Sequence, residues 1–282
     1  MSPNGRWGGQ LTSRPLPLDD REIDELPDTT RERLAGVWHA RSASERRVAD
    51  AFELIAEHVH ALSRSSELRL LSRRAVDDEL RHAELALVVA SRFAGRRLEP
   101  PPRLTLIVPS HPGLPQRLVA TLHVLGHCAM NETFASAFLE ATLRECAAPL
   151  ARAATRALLA DEIEHARIGW ALLSQLNQAE RRELGPHLPG LVAANLTMWR
   201  TAPRDSASDP VLARHGAPSA ELVEAALVAA VRDLILPGLA HFDLPTETLS
   251  RWVAAGAPTS DAETWSTRSP GESPMSDVGE SR

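Results

Sequence analysis

Two short phrases of the chain, "DDELRHAELA" at 77–86 and "ADEIEHARIG" at 160–169, both contain Asp-Glu-x-x-His-Ala. The residues concerned are Asp78, Glu79 and His82 in one copy, and Asp161, Glu162 and His165 in the other. On a helix, positions i and i+3 share a face about one turn apart, so one Glu and one His can reach the same ion. Carboxylate oxygen and imidazole nitrogen together suit divalent first-row metals. A single Glu-x-x-His on a helix is ordinarily a pair of surface groups, and the repetition is what singles these out. A ligating His usually donates its second ring N–H to a carboxylate. Asp78 and Asp161 are therefore read as acceptors, for the His on their own helix or across to the opposite one.

The elements that must position these groups follow from composition and punctuation. Both phrases lie in runs of Ala, Leu, Arg and Glu, which are good helix formers. A first helix, or two in line, is expected from Asp28 to "SRSS" at 63–66, and a second from about Glu67 to Ala94, stopped by Gly95. Next comes "RRLEPPPRLTLIVPSHPGLP", with six prolines between 100 and 115, which cannot be helical and is long for a local turn. A third helix is expected over about 116–146 and, after the break "AAPLAR", a fourth over about 151–176. Helix, turn, helix, long crossover, helix, turn, helix is the order of a ferritin-like four-helix bundle, so the fold class expected is all-α.

Periodicity then selects the inward acids. On the second helix Leu68, Leu71, Ala75, Glu79, His82, Ala86, Val89 and Phe93 recur at threes and fours. On the fourth, Glu162 and His165 lie in the stripe from Leu158 through Gly169 to Leu176. The first helix places Glu45 on the stripe of Trp38, Val48, Phe52, Ile55, Val59 and Leu62, whereas Glu53 and Glu57 fall on a solvated face. The third places Glu132 between Ala129 and Ser136. Distances from the two turns are similar in both halves, so the four Glu are expected at one level. Burying four carboxylates without compensation would exceed the roughly 5–15 kcal/mol by which a domain is stable. Two divalent ions are the economical compensation. Glu45, Glu79, His82, Glu132, Glu162 and His165 are the expected ligands, the set that di-iron carboxylate bundles use. His127, on the third helix, is a candidate extra ligand, although such a His more often is an ordinary bundle residue. His58 and His60 are read as exposed, Trp170 as core, and Met130 and Phe134 as pocket wall. Arg81 and Arg167 are expected to pair with Glu84 and Glu164.

In this four-part pattern of Glu and Glu-x-x-His the chain resembles the ferritin-like di-iron carboxylate superfamily. "SERRVADAFELIAEHV", "DDELRHAELALVVASRFAGRRL", "CAMNETFASAFLEA" and "ADEIEHARIGWALL" look like a group of uncharacterised bacterial ferritin-like domain proteins. The resemblance covers about residues 31–180 and names no substrate. The chain departs from the group at "ERR", where a smaller residue often follows the first Glu, and in its long N-terminal arm.

The expected organisation is an irregular arm over 1–28, the bundle over 29–180, a helical extension over 181–255 and a disordered tail over 256–282. The formal net charge of −6 and pI near 6.0 give no reason to expect nucleic acid as a partner. No 18-residue apolar run is present, and the first residues lack a signal-peptide core, so no membrane partner is expected. The two cysteines, Cys128 and Cys146, sit in apolar helical surroundings and read as buried free thiols in a cytoplasmic protein. The metal expected is iron, two ions per chain, with manganese or a mixed Fe/Mn pair as variants and zinc left open by the imidazoles. An oxidase or oxygenase using O2 on a small organic substrate is the leading expectation, with an electron-donor protein as partner and a homodimer as an allowed assembly. The rival is a ferroxidase or iron-binding protein without an organic substrate. A peroxide scavenger and a bundle with a dead site complete the alternatives. Rubrerythrin-type Cys-rich iron is excluded by the cysteine count, and the absence of Tyr excludes a tyrosyl radical.

Overall fold

A computed structural model describes residues 11–12, 15–201 and 209–258, and all regular structure among them is helical. Most of the tail expected to be disordered, from 259 onward, lies outside the described residues. Helix α1 spans Asp28–Leu62 and α2 Ser66–Ala94. The second starts where the Ser65 hydroxyl accepts from the Leu68 N–H, and stops at Gly95, whose φ of 64° is left-handed and suited to glycine. Residues 95–115 then cross without regular structure.

The third rod is not the unbroken α-helix expected. It comprises α3 Gln116–Val124, a π-helical segment Leu125–Asn131, and α4 Glu132–Glu145. The fourth rod is α5, Pro149–Gln175, with proline in its first turn, where the missing N–H has no helical acceptor to lose.

The four rods close a ring in which α1 packs on α2, α2 on α5, α5 on the third rod, and α3 on α1. Neighbours run antiparallel. Ser42 donates to the Ala83 carbonyl at 2.8 Å, and Phe52 and His58 of α1 meet His127 and His123 in reversed order. Two close approaches at glycines, one to backbone and one to a side chain, seat the π-helical segment. A Cβ on Gly169 would lie 2.4 Å from the Ala129 nitrogen, and one on Gly126 would lie 2.8 Å from Leu191 Cδ1.

The helical extension expected after the bundle comprises six α-helices among the described residues. They are α6 Gln178–Leu184, α7 Leu188–Thr201, α8 Pro210–Arg214, α9 Ala220–Ala230, α10 Leu236–His241 and α11 Glu247–Ala254, and a second π-helical segment, Val231–Ile235, separates α9 from α10. Val192 and Leu196 of α7, Leu227 of α9 and Trp252 of α11 share one apolar core with Leu122, Met130 and Phe134 of the third rod. The described part of the N-terminal arm is also tied down. Ile23 is fully buried, and the Asp20 carboxylate accepts from the Leu150 N–H at 3.1 Å. No helix among the described residues is long and apolar enough to cross a membrane.

Gly169→Ala should force α5 away from the backbone of the π-helical segment. Overpacking of this kind costs about 1–3 kcal/mol. Thermal unfolding of the variant should show a lower midpoint, and an unchanged midpoint would mean that the rods are not held this close.

Candidate metal centre

The two Glu-x-x-His pairs face each other across the α2–α5 seam. Glu79 and His82 are fully buried, Glu162 is 3% exposed and His165 2%. From the third rod comes Glu132, 1% exposed, and from α1 comes Glu45, which is partly buried. One atom each from Glu45, Glu79, His82 and Glu162 lie within 4.8 Å of one another, as do atoms of Glu79, Glu132, Glu162 and His165. Glu79 and Glu162 belong to both groups. Either group could hold a metal ion.

Orientation of the imidazoles is as informative as their position. His82 Nδ1 lies 3.3 Å from Glu79 Oε2 and 3.4 Å from Glu162 Oε1. His165 Nδ1 lies 2.9 Å from Glu79 Oε1 and 3.3 Å from Glu162 Oε2. Both rings therefore turn Nδ1 into the carboxylate cluster and Nε2 outward. Outside, His82 Nε2 meets Asp161 at 3.0 Å, and His165 Nε2 lies 3.6 Å from Asp78. Each Asp thus serves the His of the opposite helix, a crossing that the antiparallel pairing of α2 and α5 produces.

Donor chemistry can be tested against a metal from the atoms left over. Both oxygens of Glu79 and the Nδ1 of His82 are buried and make no hydrogen bond of good geometry, although imidazole nitrogens stand 2.9 Å and 3.3 Å from the two Glu79 oxygens. Buried polar atoms are nearly always paired, and orphans concentrated at one point need an explanation. A cation accepting these lone pairs supplies it.

Protons do the corresponding work in the metal-free cavity. Burial, reinforced by Glu79 and Glu162, raises the Glu45 pKa to about 8. Burial and the charge of Glu162 push Glu132 well above the carboxylate range. Burial disfavours charge on His82 and His165 too. It is outweighed by the surrounding acids, Glu79 and Asp161 at His82 and Asp78 and Glu162 at His165, which raise both imidazoles well above normal. Glu162 goes the other way, because the hydrogen bond from His165 and the adjacent His82 imidazole overcome its burial.

Several neighbours were not anticipated from the sequence, or were assigned differently. Arg81 does not pair with Glu84. It donates to Asp78 at 2.9 Å and to Asp161 at 2.7 Å, joining both acceptors, and its other nitrogen reaches the Leu11 carbonyl. The equivalent position of the second copy is Glu164, which pairs with Arg167 as expected. Asn131 donates to Glu132 at 3.0 Å and accepts from the indole N–H of Trp199 on α7 at 2.9 Å. Adjacency to His82 and to Glu132 was the only available signal for Arg81 and Asn131. His127 lies outside both donor groups. Its Nε2 is 3.3 Å from Glu132 Oε1, its ring is edge-on to Phe52, and burial lowers its pKa to about 4. The π-helical segment brings it that near, since residues five apart are about 140° apart on an α-helix. His58, expected to be exposed, is half-buried against His123; Glu53, Glu57 and His60 are exposed as expected. Met130 and Phe134 are fully buried, and Cys128 and Cys146 are buried free thiols. Beside His165, a cavity of about 110 Å³ lined by Arg74, Asp78, Asp161 and Glu164 leads outward.

Two outcomes follow from these charges. Glu45, Glu132, His82 and His165 all hold protons more tightly folded than unfolded, so their contribution to stability is lost as pH rises through the folded values. Glu162 has the opposite sign, but its contribution is lost only at acid pH. The unfolding midpoint of the metal-free protein should therefore fall between about pH 6 and pH 9, and a midpoint that rises over that interval contradicts the assignment. Asp161→Asn removes the charge that orients His82, and titration with Fe(II) should show affinity reduced by about 10–100-fold. Comparison with known proteins attaches no name to this centre: no family model, curated protein or solved structure matches the chain, so its chemistry is read from its own side chains.

Proposed function

We propose that this chain is a ferritin-like di-metal carboxylate protein, with iron as its working metal, that uses O2 to oxidise a small organic substrate. The observation that carries the reading is the pair of donor groups sharing Glu79 and Glu162. Two overlapping groups of four donors suit two neighbouring ions better than one. Glu45 and His82 would complete one end, and Glu132 and His165 the other. The order of rods and the long crossover support the ferritin-like topology.

Iron held by such donors supplies the binding and reduction of O2. The chain's own residues do the rest. Asp161 takes the outward N–H of His82, keeping its Nδ1 free for an ion, and the Asp78 carboxylate lies 3.6 Å from the outward Nε2 of His165. Arg81 neutralises both Asp while remaining outside the cluster. Phe52, edge-on to His127 and tilted against His165, keeps water from that side. Contact between α7 and Glu132 through Trp199 and Asn131 favours an enzyme, because the extension that would wall a substrate pocket reaches a ligand.

Glu79→Ala and His165→Ala should each abolish stoichiometric Fe(II) binding, whereas Glu53→Ala, on an exposed face, should leave it unchanged. Wild-type iron content in either of the first two, measured by mass spectrometry of metals, would remove that ligand from the set. O2 uptake that requires an added organic compound supports the oxidase; uptake driven by Fe(II) alone, with iron retained as mineral, replaces it with a ferroxidase.

A further inference from the structure

Four of the chain's histidines gather away from the carboxylate centre. His58 is on α1, His123 on α3, His111 on the crossover, and His187 just after α6. His58 and Glu45 are thirteen residues apart on one helix, about 20 Å. His58 Nε2 lies 3.1 Å from His123 Nδ1, and the His111 ring centroid is 5.4 Å from that of His123. His123 Nε2 is 3.0 Å from the carbonyl oxygen of Pro109. That carbonyl can only accept, so the His123 proton is on Nε2 and its Nδ1 carries a lone pair. The short contact therefore has His58 Nε2–H donating to His123 Nδ1.

We propose that His58, His123 and His111 form a second metal site, independent of the carboxylate centre, for one late first-row divalent cation of the Zn2+ type. The two facing nitrogens are already at the separation that a shared ion imposes. Bonds of about 2.0–2.1 Å from Zn2+ to imidazole place two ligand nitrogens roughly 3.1–3.4 Å apart. The Pro109 carbonyl supplies the outer acceptor that a ligating His requires. On binding, the proton of His58 moves from Nε2 to Nδ1, so both facing nitrogens offer lone pairs and no net proton is released. His111 completes a third bond by rotation about its side-chain torsions, and the ion then pins the crossover to α1 and α3.

Charge state favours the same site. Burial lowers the pKa of His58 and of His111, and the neighbouring His123 lowers both further, with Glu57 opposing at His58. His187, lowered by its own burial, adds to the effect at His111. His58 and His111 are thus neutral and available at neutral pH. An all-imidazole set discriminates against the hard, oxygen-preferring ions that the carboxylate centre attracts.

Equilibrium dialysis of the full chain against Zn2+ tests this. The double variant His58→Ala/His123→Ala should bind one equivalent fewer than wild type, with unchanged far-ultraviolet circular dichroism. His165→Ala should keep that equivalent while losing metal at the carboxylate centre, so failure of one site is distinguished from failure of the other. His111→Ala, on a segment without regular structure, should weaken the same equivalent at least tenfold. Equal Zn2+ stoichiometry in wild type and the double variant overturns the site, as does unchanged affinity in His111→Ala.

Discussion

Carboxylates repel one another, and the repulsion is strongest where water cannot screen it. Glu45, Glu79, Glu132 and Glu162 converge where three of the four are essentially without solvent. The surrounding structure offsets that repulsion in layers. Two imidazoles stand immediately outside the carboxylates, Asp78 and Asp161 stand outside the imidazoles, and Arg81 closes the outer layer by holding both Asp. Charge alternates in sign from the centre outward, so each group has an opposite neighbour. What the layers leave uncompensated is the inner face of Glu79 and the Nδ1 of His82, the place a cation would take.

Backbone geometry makes the layering possible. Antiparallel pairing of α2 with α5 exchanges the Asp acceptors between helices, so neither Asp-His pair is local. The absence of a side chain at Gly169 lets α5 touch the backbone at Ala129, and the π-helical segment there delivers Glu132 into the cluster with His127 beside it. π-helical turns inside α-helices recur at functional sites because they redirect side chains at modest cost in hydrogen bonding.

The two ends of the centre are not equivalent, although the phrases that build them nearly are. Around Glu45 lies Arg41, stacked over Trp38 at 4.5 Å and Phe138 at 5.3 Å, and its charge opposes the raised pKa of that Glu. Around Glu132 lie Asn131, the indole of Trp199 and the neutral His127. Arg81 in one copy is Glu164 in the other, so a single guanidinium serves both acceptors. Two ions placed here would experience different fields.

Much of this was legible without coordinates, for a physical reason. Helical period is a local property, and a Glu or His that recurs within an apolar stripe must be buried with it. The stripes therefore determined the all-helical class, the rod boundaries near Gly95 and the crossover, and the inward direction of six ligand candidates. Distances from the turns further placed the four Glu at one level. Only the tertiary structure decided the partners. Whether Asp78 serves its own helix or the next, whether Arg81 meets Glu84 or two Asp, and whether His58 is solvated or faces His123 depend on which rods adjoin. The break in the third rod was equally hidden, because a π-helical turn reflects contacts of Gly169 and Leu191 from elsewhere in the chain rather than any preference of "LGHCAMN" itself.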